Sequence, residues 1–270
     1  MSIRIRYVAL FCMAVSALLG SVSVFATEGK VDREEFWKRM ERIVKEREVF
    51  VMKYDKEVKD PKTGVVISKV PREEPNMFTI AILTPAARAA TNDIIEYWEN
   101  SGGGHLKELG MILGTAYRES CQTMLDITEP CVCLNRKRVK EKYKGDVEAC
   151  RIAETSKQKY SHPVNGKRYW GRGLSQLTGK DRYRDIGLKL GRGQQLVDDP
   201  NLALDHSTSV KILVEGMRHA WFTGSKKKLK DYLAEDKDDW IGARSLVNPG
   251  SSRAPVTAFF AKKFYSALDI

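Results

Sequence analysis

Residues 169–178 read Tyr-Trp-Gly-Arg-Gly-Leu-Ser-Gln-Leu-Thr and gather the densest ligand-binding chemistry in this 270-residue chain. Gly171 and Gly173 allow a close backbone approach to a ligand or a turn with φ > 0. Tyr169 and Trp170 offer aromatic faces of the kind that stack on sugar rings. Ser175, Gln176 and Thr178 offer hydroxyl and amide groups suited to sugar hydroxyls and acetamides, and Arg172 adds a cation. Upstream, Glu119 follows the run Leu113-Gly114-Thr115-Ala116-Tyr117-Arg118. A carboxyl at the end of an apolar helical stripe is one that burial can keep protonated, ready to donate. A second carboxyl, Glu129, follows ten residues later, and an Asn248-Pro249-Gly250 turn lies downstream. Two carboxyls beside a polar loop can cleave a glycosidic bond, one protonating the leaving oxygen and the other activating water. Asp126, Glu141 and Glu148 compete with Glu129 for the second role.

This chemistry constrains the backbone. On an unbroken helix, residues ten apart have Cα atoms about 15 Å apart. A gap that holds a water between two carboxyls is about 6.5–9.5 Å. The helix must therefore end at Glu119 and the chain loop back. Pro130 and the cysteines beside it suit such a loop.

These three pieces, in this order, resemble glycoside hydrolase family 19, in particular its short chitinase-like and phage-endolysin-like members. Those enzymes cleave β-1,4-linked N-acetylglucosamine polymers. The resemblance spans roughly residues 106–268, about two thirds of the chain. Tyr-x-Gly-Arg-Gly-x-x-Gln-Leu-Thr is its specific part. Residues 119–129 are similar to the family's Glu-Thr-x-x-Thr-Met-x-x-x-x-Glu pattern. The resemblance implies a lysozyme-like helical fold with a substrate cleft and an inverting mechanism, with Glu119 as acid and Glu129 activating water. It implies that Gln176 and Thr178 hold substrate and water, that Asn248 binds substrate across the cleft, and that Tyr169 and Arg172 line it. Three departures stand out. Arg118 replaces a usual histidine before the acid, Arg182 replaces a usual asparagine, and Pro249-Gly250 replaces a usual Gly-Gly. Glu119-Ser120 with Gly173-Leu174-Ser175-Gln176-Leu177 is also similar to lytic transglycosylases, which need a single acid. A glycan-binding protein on a degenerate hydrolase scaffold is the non-enzymatic alternative.

Residues 1–26 read as an export signal. Arg4 and Arg6 precede an uncharged run from Tyr7 to Phe25, and Val24-Phe25-Ala26 fits a small-x-small cleavage site. The competing reading is an uncleaved anchor, since the run is nearly long enough to span a membrane. Cleavage implies a periplasmic or secreted protein with no stable membrane insertion. It removes two cations and lowers the formal charge from +11 to +9. A positive surface suits an anionic polymer. Export and the lack of any nucleic-acid motif argue against nucleic acid, leaving a polysaccharide such as peptidoglycan or a chitin-like glycan as the expected partner. The histidines, His105, His162, His206 and His219, have no metal-ligand spacing, and no nucleotide loop is present, so no metal or cofactor is implied. Outside the signal, Cys121, Cys131, Cys133 and Cys150 make an even count, which in an exported chain suggests two disulfides. Cys131–Cys133 would close an unfavourably tight ring. Cys121 with Cys131 or Cys133, and the other with Cys150, remain open.

The elements that must position these residues are mostly helices. Phe36, Met40, Ile43, Val44 and Phe50 recur at helical spacing, predicting an amphipathic helix over 32–52 that docks on the domain or on a partner. Residues 53–76, with Pro61, Gly64, Pro71, Pro75 and many charges, read as a linker with a short strand at Val65-Val66-Ile67. The main domain then covers 77–270. Thr84-Pro85 opens a helix ending before Gly102-Gly103-Gly104. The next carries a buried stripe of Leu106, Leu109, Ile112, Leu113 and Ala116 and delivers Glu119. Residues 134–162, highly charged and without apolar periodicity, read as a loop with a helical turn or two. Further helices are predicted over 179–190, 202–221, 239–246 and 254–268. The expected class is mainly α, with an N-terminal helical extension.

Overall fold

The computed structural model describes residues 30–60, 63 and 65–269. The export signal expected over residues 1–26 lies outside the described residues. From Asp32 onward the chain forms one unit, and it is mainly helical.

The first helix, α1 (Arg33–Glu46), starts where the Asp32 side chain accepts from the Glu35 N–H at 3.0 Å. It ends where Arg47 turns left-handed. Its apolar face buries Phe36, Trp37 and Met40. The Trp37 indole donates to Asn92 at 3.0 Å and carries the Arg88 guanidinium over its ring, while Arg33 pairs with Glu99. The amphipathic helix is thus docked on its own domain, and it is shorter than its apolar spacing predicts.

Residues 50–76 are a β-hairpin and not a linker. Strand β1 (Phe50–Lys59) pairs antiparallel with β2 (Val66–Asn76), from Phe50 opposite Asn76 to Val58 opposite Ser68. The prolines that suggest a linker are accommodated because both strands of a two-stranded ribbon are edges. Pro71 and Pro75 need no second partner there. The hairpin is anchored at its base and by Arg253, which pairs with Glu74 and lies over the Tyr54 ring. Phe50 stacks on Phe259 with ring centres 5.5 Å apart, and Met52 is buried.

Helix α2 (Pro85–Asn100) is capped by the Thr84 hydroxyl, with proline at its start. Helix α3 (Leu106–Glu119) is capped by His105 in a reciprocal arrangement with Glu108. It is the central element and is buried on every side from Glu108 to Tyr117, more completely than a single stripe predicts. Helix α10 (Ala254–Leu268) lies directly along it. A methyl group on Gly114 would come within 2.6 Å of the Ala261 backbone, so the absent side chain is what permits this approach. Phe78, Tyr117, Phe260 and Phe264 close this core edge-to-face and stacked, with ring centres 4.7–6.0 Å apart.

Residues 134–162 also depart from expectation. They hold α4 (Arg136–Tyr143) and α5 (Val147–Thr155) with one-turn 3-10 segments on either side. Their small core is Cys133, Val139 and Cys150, flanked by Val132 and Tyr143. A Cys133–Cys150 disulfide crosses it. On the surface, Glu154 accepts from Tyr143, Arg138 and Lys142, which hold its carboxyl down to about 2. A covalent link and one buried valine replace the apolar periodicity that would announce these helices. The C-terminal half adds α6 (Lys180–Lys189), α7 (Gln195–Asp198), α8 (His206–Arg218), a small ribbon of β3 (Leu233–Ala234) and β4 (Lys237–Asp238), and α9 (Trp240–Arg244). Helices α2, α8, α9 and α10 all pack on α3.

Candidate active site

Glu119 is the last residue of α3. The helix stops there because Cys121, Gln122 and Met124 adopt left-handed backbone angles, while Ser120 accepts from the Met124 N–H at 2.8 Å. This is the break that two converging carboxyls require. A disulfide from Cys121 to Cys131 fastens the returning chain. Of the two pairings left open by the sequence, the structure has Cys121–Cys131 with Cys133–Cys150.

Glu129 is held by the backbone of the glycine loop. Its N–H donates to the Gly171 carbonyl at 2.9 Å, and its Oε1 accepts from the Gly171 N–H at 2.6 Å. Its Oε2 accepts from the Tyr160 hydroxyl at 3.2 Å. Burial, and then the Glu129 charge, push the Tyr160 phenol up to about 12, so it stays a donor. The attachment continues through backbone bridges from Thr128 to Arg172 and from Arg172 to Leu177, and through the Gly173 N–H on the Ile127 carbonyl at 2.9 Å. Gly173 has φ 74° and no room for a side chain, since a methyl group would meet the Ala203 carbonyl at 2.5 Å. A methyl on Gly171 would strike the side chains of Gln176, Glu129 and Thr178, all at 3.1 Å or less. These three groups therefore converge on one spot of bare backbone.

A pocket of about 560 Å³ opens here. Glu119, Glu129, Gln176, Thr178 and Asn248 all line it, so the structure brings together five of the seven residues singled out for chemistry. The Gln176 Nε2 donates to the carbonyls of Ile127 and Gly173, and the Thr178 hydroxyl donates to the Gln176 carbonyl. Their donors are engaged locally, and their oxygens remain as acceptors for a ligand. Asn248 sits on the exposed turn after α9.

Tyr169 and Arg172 are not pocket residues. The Tyr169 ring is buried against Tyr183 and its hydroxyl donates to the Val197 carbonyl at 3.0 Å. Arg172 is buried and donates to Asn201, Tyr183 and the carbonyls of Arg168 and Trp170. A guanidinium with five fixed donors is well suited to tying loop backbone together from beneath. These two residues shape the loop that carries the ligand-facing ones. The rival carboxylates also lie elsewhere. Asp126 accepts from or pairs with His206 at 2.6 Å, and neither Glu141 on α4 nor Glu148 on α5 lines the pocket.

Sequence reasoning missed Arg244, Tyr160, Arg253 and Phe222, which also line the pocket. Arg244 is 2% exposed and donates through Nη2 to Glu119 Oε1. Burial pushes its guanidinium below its ordinary range, Glu119 works against this, and Arg118 adds to it. Nothing in its local sequence signals this role, since Arg244 is the last residue of a five-residue helix and belongs to no motif. Among the described residues, no group of three metal-ligating side chains comes together, and no helix is long and apolar enough to cross a membrane. No protein-family model matches the chain, and no curated protein matches it.

Proposed function

We propose that this protein is an exported glycoside hydrolase, lysozyme-like in fold and similar to glycoside hydrolase family 19, whose pocket is a cleft for a β-1,4 glycan containing N-acetylglucosamine. The observation that carries this reading is the meeting of Glu119 and Glu129 in one pocket. They are held by different means, one against Arg244 and the other against Gly171 and Tyr160.

In this reading Glu119 is the general acid. Arg244 engages one oxygen of the carboxylate and fixes the direction of the other, which takes up a proton from solvent and hands it to the leaving glycosidic oxygen. Glu129 activates water. Each carboxylate oxygen can accept about two hydrogen bonds, so the bonds from Gly171 and Tyr160 orient Glu129 and leave capacity for the water proton. The free acceptors of Gln176 and Thr178 lie around the same backbone, where they suit an acetamide N–H or a sugar hydroxyl. Asn248 contributes a polar side chain from the other side, and water attacks the anomeric carbon opposite to the leaving group, inverting it. No cofactor is required.

The test is to incubate the purified protein with peptidoglycan sacculi and, separately, with chitin oligomers, and to identify product ends by mass spectrometry. Glu119→Gln and Glu129→Gln are assayed beside it. Hydrated reducing ends that vanish in both variants support the hydrolase. Anhydro ends that survive Glu129→Gln would replace it with a lytic transglycosylase. Tight binding without products would replace it with a glycan-binding protein.

A further inference from the structure

The pocket wall contains more positive charge than its carboxylates account for. Four arginines, Arg118, Arg182, Arg244 and Arg253, line it beside only two glutamates. Two of the four are engaged. Arg244 is paired with Glu119, and Arg253 is paired with Glu74 of the hairpin and lies over the Tyr54 ring. The other two have no such partner. Arg118 follows Tyr117 on the last turn of α3 and is half-buried, and its Nε is enclosed without a hydrogen-bond acceptor. Its charge is close enough to disfavour the charge on Arg244. Arg182 projects from the first turn of α6, and the neighbouring acids are taken elsewhere. Asp181 pairs with Arg184 at 3.0 Å, and Asp185 pairs with the same arginine at 3.3 Å.

A half-buried guanidinium without an acceptor, next to a second buried guanidinium, is unfavourable until an anion arrives. A neutral polymer of N-acetylglucosamine has no anion to offer. A glycan whose sugars carry a lactyl ether or an attached peptide offers carboxylates, the group to which a guanidinium fork is matched. Both unengaged arginines are also among the three positions at which this chain departs from the family pattern it otherwise resembles.

We propose that Arg118 and Arg182 form a carboxylate-recognising wall of the pocket, so that the favoured substrate is an anionic glycan bearing lactyl or peptide carboxylates. This rests on the reading of the pocket as a glycan site. The two arginines set specificity, while the bond-breaking groups remain Glu119 and Glu129. The formal charge, +11 on the whole chain and +9 without residues 1–26, draws the same polymer from a distance.

The experiment compares three soluble substrates: peptidoglycan glycan strands with free carboxylates, the same strands with carboxylates capped as methylamides, and chitin oligomers. The full chain should turn over the free-carboxylate strands with kcat/KM about tenfold or more above the capped ones, the effect of one charge-assisted contact. The difference should lie mainly in KM and shrink at high salt. Arg118→Gln and Arg182→Gln should each reduce the ratio, and Arg182→Lys should keep part of it. Arg182 is exposed, so its variant carries the test even where Arg118→Gln fails to fold. Equal turnover of free and capped strands, or an unchanged ratio in Arg182→Gln, overturns the proposal. If no glycan is cleaved at all, the hydrolase reading fails separately. The binding of free against capped strands to the same proteins then decides whether the carboxylate preference exists.

Discussion

Glu119 and Glu129 reach the same pocket from opposite kinds of structure. Glu119 ends a helix that is buried on every side and anchored by aromatic packing and by the close approach of α10 at Gly114. Its carboxylate rests on a buried arginine. Glu129 sits on a short irregular loop that buries Met124 and Ile127, and is itself held by two bonds to the Gly171 backbone, by Tyr160 and by the Cys121–Cys131 disulfide. The first is placed by the hydrophobic core, the second by hydrogen bonds and a covalent link. Different perturbations should therefore disable them.

The largest effect is expected from the disulfides. Replacing Cys121 and Cys131 by serine frees a loop of about ten residues, which chain-entropy reasoning values at about 3 kcal/mol. We expect turnover to fall at least tenfold and proteolysis to concentrate in residues 121–160, while far-UV circular dichroism retains the helical signal. Equal protection of that segment in the variant would mean that the loop is held by packing after all.

Next come the carboxylates themselves, read as stability. Glu119→Ala removes the partner of a guanidinium that is 2% exposed, and loss of one partner from so buried a pair costs about 3 kcal/mol. Glu129→Ala removes the acceptor of two neutral donors, the Gly171 N–H and the Tyr160 hydroxyl, at about 1 kcal/mol. Thermal unfolding of the two variants should therefore differ by several degrees, Glu119→Ala being the lower. The reverse order would break the comparison.

The same contrast explains what was legible beforehand. Core-placed elements announce themselves. The Thr84-Pro85 cap and the apolar spacing of α3 follow from side-chain types alone, whereas the end of that helix at Glu119 is expected only from the separation that two cooperating carboxyls need. The loop-placed elements do not, because the forces that place them have no period. Helices α4 and α5 close on a disulfide and one valine. The hairpin at 50–76 looks like a linker by composition, since pairing between Asp55 and Pro71 or Lys53 and Glu73 leaves no local trace. Tyr169 and Arg172 belong to the most specific string in the chain and serve the backbone beneath the pocket, whereas Arg244 and Tyr160 carry no motif and face into it. Specific sequence marks the shape of the loop as much as its contacts.

The smallest effect is a pH dependence at the loop's far attachment. His206 pairs with Asp126, on the Glu119–Glu129 loop, and with Asp93 on α2. The Asp126 hydrogen bond raises the His206 pKa above its ordinary 6.5, against the effect of burial, and Asp93 adds to the rise. A raised folded-state value means that this tie is fully present below pH 6.5 and is lost as pH climbs through the folded-state value. The melting temperature should therefore decline slightly over that window, and His206→Ala should flatten the decline. A decline that persists in His206→Ala assigns it to other groups.

The most direct test of the central claim, that Glu119 and Glu129 act together on one glycosidic bond, is the anomeric configuration of the first product released from a β-linked oligosaccharide, followed by proton NMR before mutarotation. The inverting account, with Glu119 protonating the leaving oxygen while Glu129 activates water, predicts the α-anomer, with the signal absent in both Glu119→Gln and Glu129→Gln. A β-anomer as first product, or an α-anomer that persists without Glu129, would contradict it.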